Sequence, residues 1–110
     1  SPYTMTACAM APRLFGAIPV FSDVEKETGC MDVKSIERAL SDRTKAILVV
    51  HQFGIPADME KIMELAKQHD LKVIEDCAQA HGAKYNNKNV GTFGAIGVFS
   101  LNVKQNNSNW

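Results

Sequence analysis

Val73-Ile74-Glu75-Asp76-Cys77-Ala78-Gln79-Ala80-His81-Gly82-Ala83 joins an apolar run to two carboxylates, an amide and a His-Gly turn. The run before it reads as a strand, because β-branched residues favour a pleated, buried surface. A carboxylate at the mouth of such a strand is costly unless something there needs a negative charge. In open α/β sheets, ligands sit beyond the carboxyl ends of the strands. Asp76 is therefore either a ligand anchor or an aspartate that shapes a turn.

Strands and helices alternate around this segment. Ala46-Ile47-Leu48-Val49-Val50 is a continuous apolar run, as in a strand buried on both faces. Leu71 to Ile74 is the next such strand, and Ala95 to Leu101 reads as another. Asp58 is placed to cap a helix with Met59, Ile62, Met63 and Ala66 on one side. Asp32 is placed to cap another with Val33, Ile36, Ala39 and Leu40. Tyr3 to Leu14 reads as helical, stopping before Gly16, and Ile18-Pro19-Val20-Phe21 as a short strand. Helices between apolar strands make βαβ units, hence an α/β fold with a mostly parallel sheet. No internal repeat is present.

Size and charge exclude several classes. The 110 residues make at most one small domain. Lys and Arg total 12 and Asp and Glu total 12, so there is no basic excess for nucleic acid or an anionic membrane. No run of apolar residues is long enough to span a bilayer. Ser1-Pro2-Tyr3-Thr4 has neither a basic nor an apolar leader region and reads as a cut or processed end. Cys8, Cys30 and Cys77 form no C-x-x-C pair, as expected of reduced thiols in a cytoplasmic protein.

The residues that can carry chemistry cluster at strand ends. Gln79 is either a surface amide or a donor to an oxygen of a ligand held by Asp76. His81 is either a loop histidine or a substrate contact. His51 ends the first buried strand and so lies near the same edge. His51, Cys77 and His81 match no standard zinc spacing, and no metal site is expected. Gly91-Thr92-Phe93-Gly94 is not a dinucleotide fingerprint, since it neither follows a strand nor opens a capped helix. Ser100 closes the last strand, where it can bond a phosphate or phenolic oxygen. Lys104 follows it, either as a reactive amine or as a solvated tail residue.

These residues together resemble the DegT/DnrJ/StrS group of pyridoxal phosphate (PLP)-dependent sugar aminotransferases, of fold type I. The resemblance runs from about Ser1 to Val103. It includes Tyr3-Thr4, Gly16 to Phe21, Thr44 to Ile47, Val50-His51, Gly54 to Asp58, Glu75 to Ala83 and Gly94 to Ser100. It implies a three-layer fold, this chain being the central part of a type I large domain over 1–103. It also implies a role at each matching position. Asp76 pairs with the pyridinium nitrogen, Gln79 lies beside the ring and its phenolic oxygen, and Ser100 contacts the phosphate. Met5 stands where an aromatic side chain usually stacks on the ring, and a thioether can pack there too. The implied function is amination of a nucleotide-linked keto sugar, with glutamate or glutamine as amino donor, by a homodimer. The implied setting is amino-sugar biosynthesis for cell-surface polysaccharide or antibiotic. The 110-residue chain alone is expected to be inactive. The alternative is a non-catalytic fragment or pseudoenzyme that only binds a partner.

Two departures concern the end of the match. Ala95 stands where Asp is common after Gly94. The resemblance puts the cofactor-holding lysine five residues after Ser100, but that position is Gln105, and Lys104 is one position short. Family dehydratases place a histidine there, which Gln105 does not match. Relatives often continue after Phe-Ser-Leu-Asn-Val with Asn-Lys-Thr-Ile-Gln-Thr-Gly-Glu, which AAC AAA ACA ATT CAA ACT GGT GAA encodes. One A inserted in front turns that into AAA CAA AAC AAT TCA AAC TGG TGA. Its translation is the tail from Lys104 to Trp110 followed by a stop. Residues 104–110 are therefore expected to be a frameshifted reading of the lysine loop.

Overall fold

A computed structural model describes residues 1–101. Lys104, Gln105 and the whole 104–110 tail lie outside the described residues. The sheet at its centre has three parallel strands: β1 (Ala46–Val50), β2 (Lys72–Asp76) and β5 (Ile96–Val98), in the order β1-β2-β5. A small antiparallel pair, β3 (Lys84–Tyr85) and β4 (Lys88–Asn89), precedes β5. Register pairs Val50 with Asp76 and Asp76 with Val98, so the carboxyl ends of all three strands lie together. β2 runs two residues beyond the expected end at Ile74 and takes both carboxylates into the ladder.

Among the described residues, three α-helices accompany the sheet: α1 (Ala7–Leu14), α2 (Val33–Ala39) and α3 (Met59–Gln68). Alternation along the strands decides what they cover. Ile47, Val49 and Val73 point to one face and meet Ile36 of α2 and Met59, Ile62, Leu65 and Ala66 of α3 in one buried cluster. Full burial of a side chain such as Ile62 contributes about 1.5–3 kcal/mol. On α3 it is Leu65 that is buried, while Met63, expected on the apolar face, is only partly so. Both caps form as expected. The Asp32 carboxylate accepts from the Lys34 and Ser35 amides, and Asp58 accepts from that of Lys61. On the opposite face, α1 lies over the strand ends, where Cys8 reaches Asp76. Helices thus stand on both sides of the sheet.

Other boundaries differ from expectation too: the strand expected from Ala95 to Leu101 is confined to Ile96–Val98. Tyr3 to Thr6 precedes α1 instead of forming its first turn. Ile18 to Phe21 forms no strand among the described residues. Apolar β-branched residues alone do not make a strand; a ladder partner is needed to take the backbone hydrogen bonds. Ile18 and Val20 are 81% and 69% exposed, with no such partner beside them.

Candidate active site

The strand ends frame a cleft of about 240 Å³, lined on one side by Thr4, Met5 and Cys8 and on the other by Asp76, Gln79 and Ser100. Volumes of about 300–1,000 Å³ are usual for larger ligands; this one suits a single flat ring. Asp76, Gln79, Ser100 and Met5, the expected cofactor contacts, thus lie together. His81 is not among the lining residues. Its ring packs 5.4 Å from that of Phe99, and both its nitrogens are buried without a protein partner among the described residues.

Asp76 is half-buried and held by neutral donors. Its Oδ1 accepts from the Ala78 amide at 3.0 Å, and its Oδ2 accepts from the Cys8 thiol at 3.0 Å. Thr4 Oγ1 lies 3.7 Å from the same sulfur. Burial, then the bond to Asp76, pushes the Cys8 thiol up, so it stays protonated and able to donate. No cation pairs with Asp76 among the described residues. A carboxylate so placed suits a protonated ring nitrogen. Gln79 Oε1 accepts from the Phe53 amide at 3.3 Å, which leaves the amide nitrogen as its donor to a ligand. On these observations the residues present fit PLP.

Sequence reasoning missed the residue next to Asp76. Glu75 points to the other face and is fully buried. Its Oε1 accepts from the Phe93 and Gly94 amides, each at 2.7 Å, and its Oε2 from the Gly91 amide at 2.6 Å. His51 Nε2 donates to Oε2 at 3.1 Å. His51 Nδ1 accepts from the Ala57 amide at 3.1 Å, which fixes the imidazole as the neutral Nε2–H tautomer. Burial alone would raise the Glu75 carboxyl, but the bonds from Gly94, Gly91, His51 and Phe93 outweigh it and hold it below its ordinary value. For His51, burial lowers the imidazole against the opposing pull of Glu75.

The loop Gly91-Thr92-Phe93-Gly94 is thus an anion nest filled by the protein's own carboxylate. Glycine allows close approach around it: a Cβ on Gly94 would strike the Val73 carbonyl, and one on Gly97 of β5 would strike the Gly91 backbone. His51, Glu75 and Cys77 also bring ligating atoms within 4.8 Å of one another. Those of His51 and Glu75 are already committed, and burial pushes the Cys77 thiol up to about 12, away from the thiolate a metal needs. Only the paired carboxylates at a strand end signalled any of this, since adjacent strand residues must face opposite ways.

Comparison with known proteins agrees with this geometry. The profile of the DegT/DnrJ/EryC1/StrS aminotransferase family matches residues 1–106. The chain is 51% identical to a UDP-N-acetyl-3-dehydro-alpha-D-glucosamine 3-aminotransferase of Acidithiobacillus ferrooxidans, over 94% of this chain and 28% of that protein. It is 52% identical to the GDP-perosamine synthase of Escherichia coli O157:H7, over 89% of this chain and 27% of that one. Among solved structures, an aminotransferase from Psychrobacter cryohalolentis superposes with a TM-score of 0.87 at 50% identity, over 88% of this chain and 25% of that one. The chain therefore spans little more than a quarter of the length of the relatives it matches. Among the described residues, no helix is long and apolar enough to cross a membrane. With a family match along nearly its whole length and a cleft built from the matching residues, the chain belongs to the DegT/DnrJ/EryC1/StrS aminotransferase family.

Proposed function

We propose that this chain carries part of the cofactor site of a PLP-dependent aminotransferase acting on a nucleotide-linked keto sugar. The observation that carries it is Asp76, a carboxylate at the end of the central strand that lines a cleft and, among the described residues, has only neutral donors. Bound PLP would supply an electron sink through its protonated pyridine ring. The chain's own residues bind and orient. Asp76 holds a positive ring nitrogen, the Gln79 amide donates to the ring oxygen, Ser100 meets the phosphate and Met5 packs against the ring. His81, beside the cleft and not in its lining, is proposed to meet substrate from behind Phe99. The net reaction would exchange the amino group of glutamate or glutamine for the oxygen of a sugar ketone, giving an amino sugar and an oxo acid. The sugar reading is supported by relatives named for such substrates. A homodimer in the cytoplasm, without nucleic acid or membrane partners, completes the proposal; the three free thiols agree with that location.

Titration of the chain with PLP, followed by absorbance, tests this reading. Asp76→Asn should weaken binding at least about tenfold, roughly the worth of one charge-assisted bond. Equal binding by both proteins would defeat it. Borohydride reduction and peptide mapping then show whether Lys104 takes the cofactor covalently. Labelling there supports the enzyme reading. Reversible binding without labelling supports the non-catalytic alternative and the frameshifted tail.

A further inference from the structure

Among the described residues, His51 and Glu75 are the two polar side chains with 0% of their surface exposed. Neither lines the cleft, and the proposed chemistry uses neither. Their bonds nonetheless run to its wall. The His51 amide donates to the Asp76 carbonyl at 3.1 Å, and its Nδ1 takes the Ala57 N–H. Residues 51–57 are thereby closed into a loop fastened at both ends. Inside that loop, Phe53 has a left-handed backbone at φ 50°, a conformation that is strained for an ordinary residue and persists only when its surroundings hold it. The Phe53 amide is the group that donates to Gln79 Oε1. If the loop loosens, Phe53 relaxes, and Gln79 loses the contact that decides which end of its amide is the donor.

We propose that His51, anchored by Glu75, is the positioning residue of the cofactor cleft: by clamping loop 51–57 it holds the Phe53 N–H against Gln79 and so aims the Gln79 amide nitrogen at the ligand's ring oxygen. This rests on the proposed cofactor site for its ligand, but the clamp itself is a property of the chain alone.

The two ends of the imidazole can be tested separately. In His51→Asn, the amide oxygen stands near the place of Nδ1 and still accepts from Ala57, while Glu75 loses a donor. In His51→Gln, the amide nitrogen reaches Glu75 and the clamp is lost. One readout is hydrogen exchange of the Phe53 amide, which needs no cofactor; the other is PLP affinity by absorbance. His51→Asn should leave both within about threefold of wild type. His51→Gln should speed Phe53 exchange and weaken PLP binding about tenfold each, the worth of one hydrogen bond. On a Gln79→Ala background, His51→Gln should add nothing to either. A merely structural role predicts the reverse order or equal effects, and either result overturns the proposal, as does an undiminished effect without Gln79. If PLP binds no variant but exchange follows the expected order, the cofactor reading fails while the clamp stands. Should His51→Gln not fold, Ala57→Pro removes the same N–H, leaves His51 and Glu75 intact, and must give the same two results.

Discussion

Glu75→Gln is the substitution for which the structure makes the sharpest demand. The two side chains have the same shape, so packing is preserved and only hydrogen bonding changes. Each carboxylate oxygen accepts from two N–H groups: Oε1 from Phe93 and Gly94, Oε2 from Gly91 and His51. Whichever oxygen becomes an NH2, it turns on two donors. His51 cannot adapt by moving its proton, because its Nδ1 already faces the Ala57 N–H. Two charge-assisted bonds at about 1.5–3 kcal/mol each give a loss of about 3–6 kcal/mol. That overlaps the about 3–5 kcal/mol found when one partner of a buried pair is removed. A domain of this size has about 5–15 kcal/mol in total, so the loss is a large share. Urea unfolding followed by far-ultraviolet circular dichroism measures it as a lower midpoint at unchanged slope. A loss below about 1 kcal/mol would refute the reasoning, since it would mean that the nest does not depend on a charged acceptor.

Acid should act on the same pair. His51 and Glu75 both have folded values below their ordinary 6.5 and 4.5, so the unfolded chain binds more protons and stability rises with pH. Their contribution is fully present above about pH 6.5 and is lost as pH falls through the imidazole and then the carboxylate range; urea midpoints across that range check this, and His51→Asn should remove the upper part of the loss. Asp58→Ala removes both the α3 cap and the acceptor of the Tyr85 hydroxyl at 2.8 Å, and should cost about 2 kcal/mol by the same unfolding assay. Cys8→Ser keeps a donor on Asp76 and should bind PLP as wild type does, whereas Cys8→Ala should change the affinity by about threefold or more in an absorbance titration. The coding sequence across Val103 should contain the family continuation in a shifted frame; its absence from every frame removes that account of residues 104–110.

Much of the frame was legible because it rests on local chemistry. Asp32 and Asp58 precede apolar periodicities and cap the helices expected. The apolar, β-branched run at 46–50 and the Val73-Ile74 pair within 71–74 marked β1 and β2, although β2 extends two residues further, through both carboxylates. Asp76, Gln79 and Ser100 were expected near one another because strand ends converge in a parallel sheet, and they do line one cleft. Ile18 to Phe21 misled because strand formation depends on a partner that local sequence does not contain. His81 packs on Phe99, a residue just past the end of β5 that local sequence around His81 does not contain.

The sequence by itself determined the α/β order, the caps and the presence of two carboxylates where β2 ends. Alternation required that Glu75 and Asp76 face opposite ways, but not which one would be enclosed by donors and which would line a cleft. Only the tertiary structure decided that, because the choice depends on what each face finds. Glu75 finds His51, 24 residues before it, and the amides of Gly91, Phe93 and Gly94, 16 to 19 residues after it. Those donors make burial of its charge tolerable. Asp76 finds a thiol, one amide and an open cleft. The physical reason is that a buried charge is assigned by its partners, and partners brought from distant segments exist only once the chain has folded.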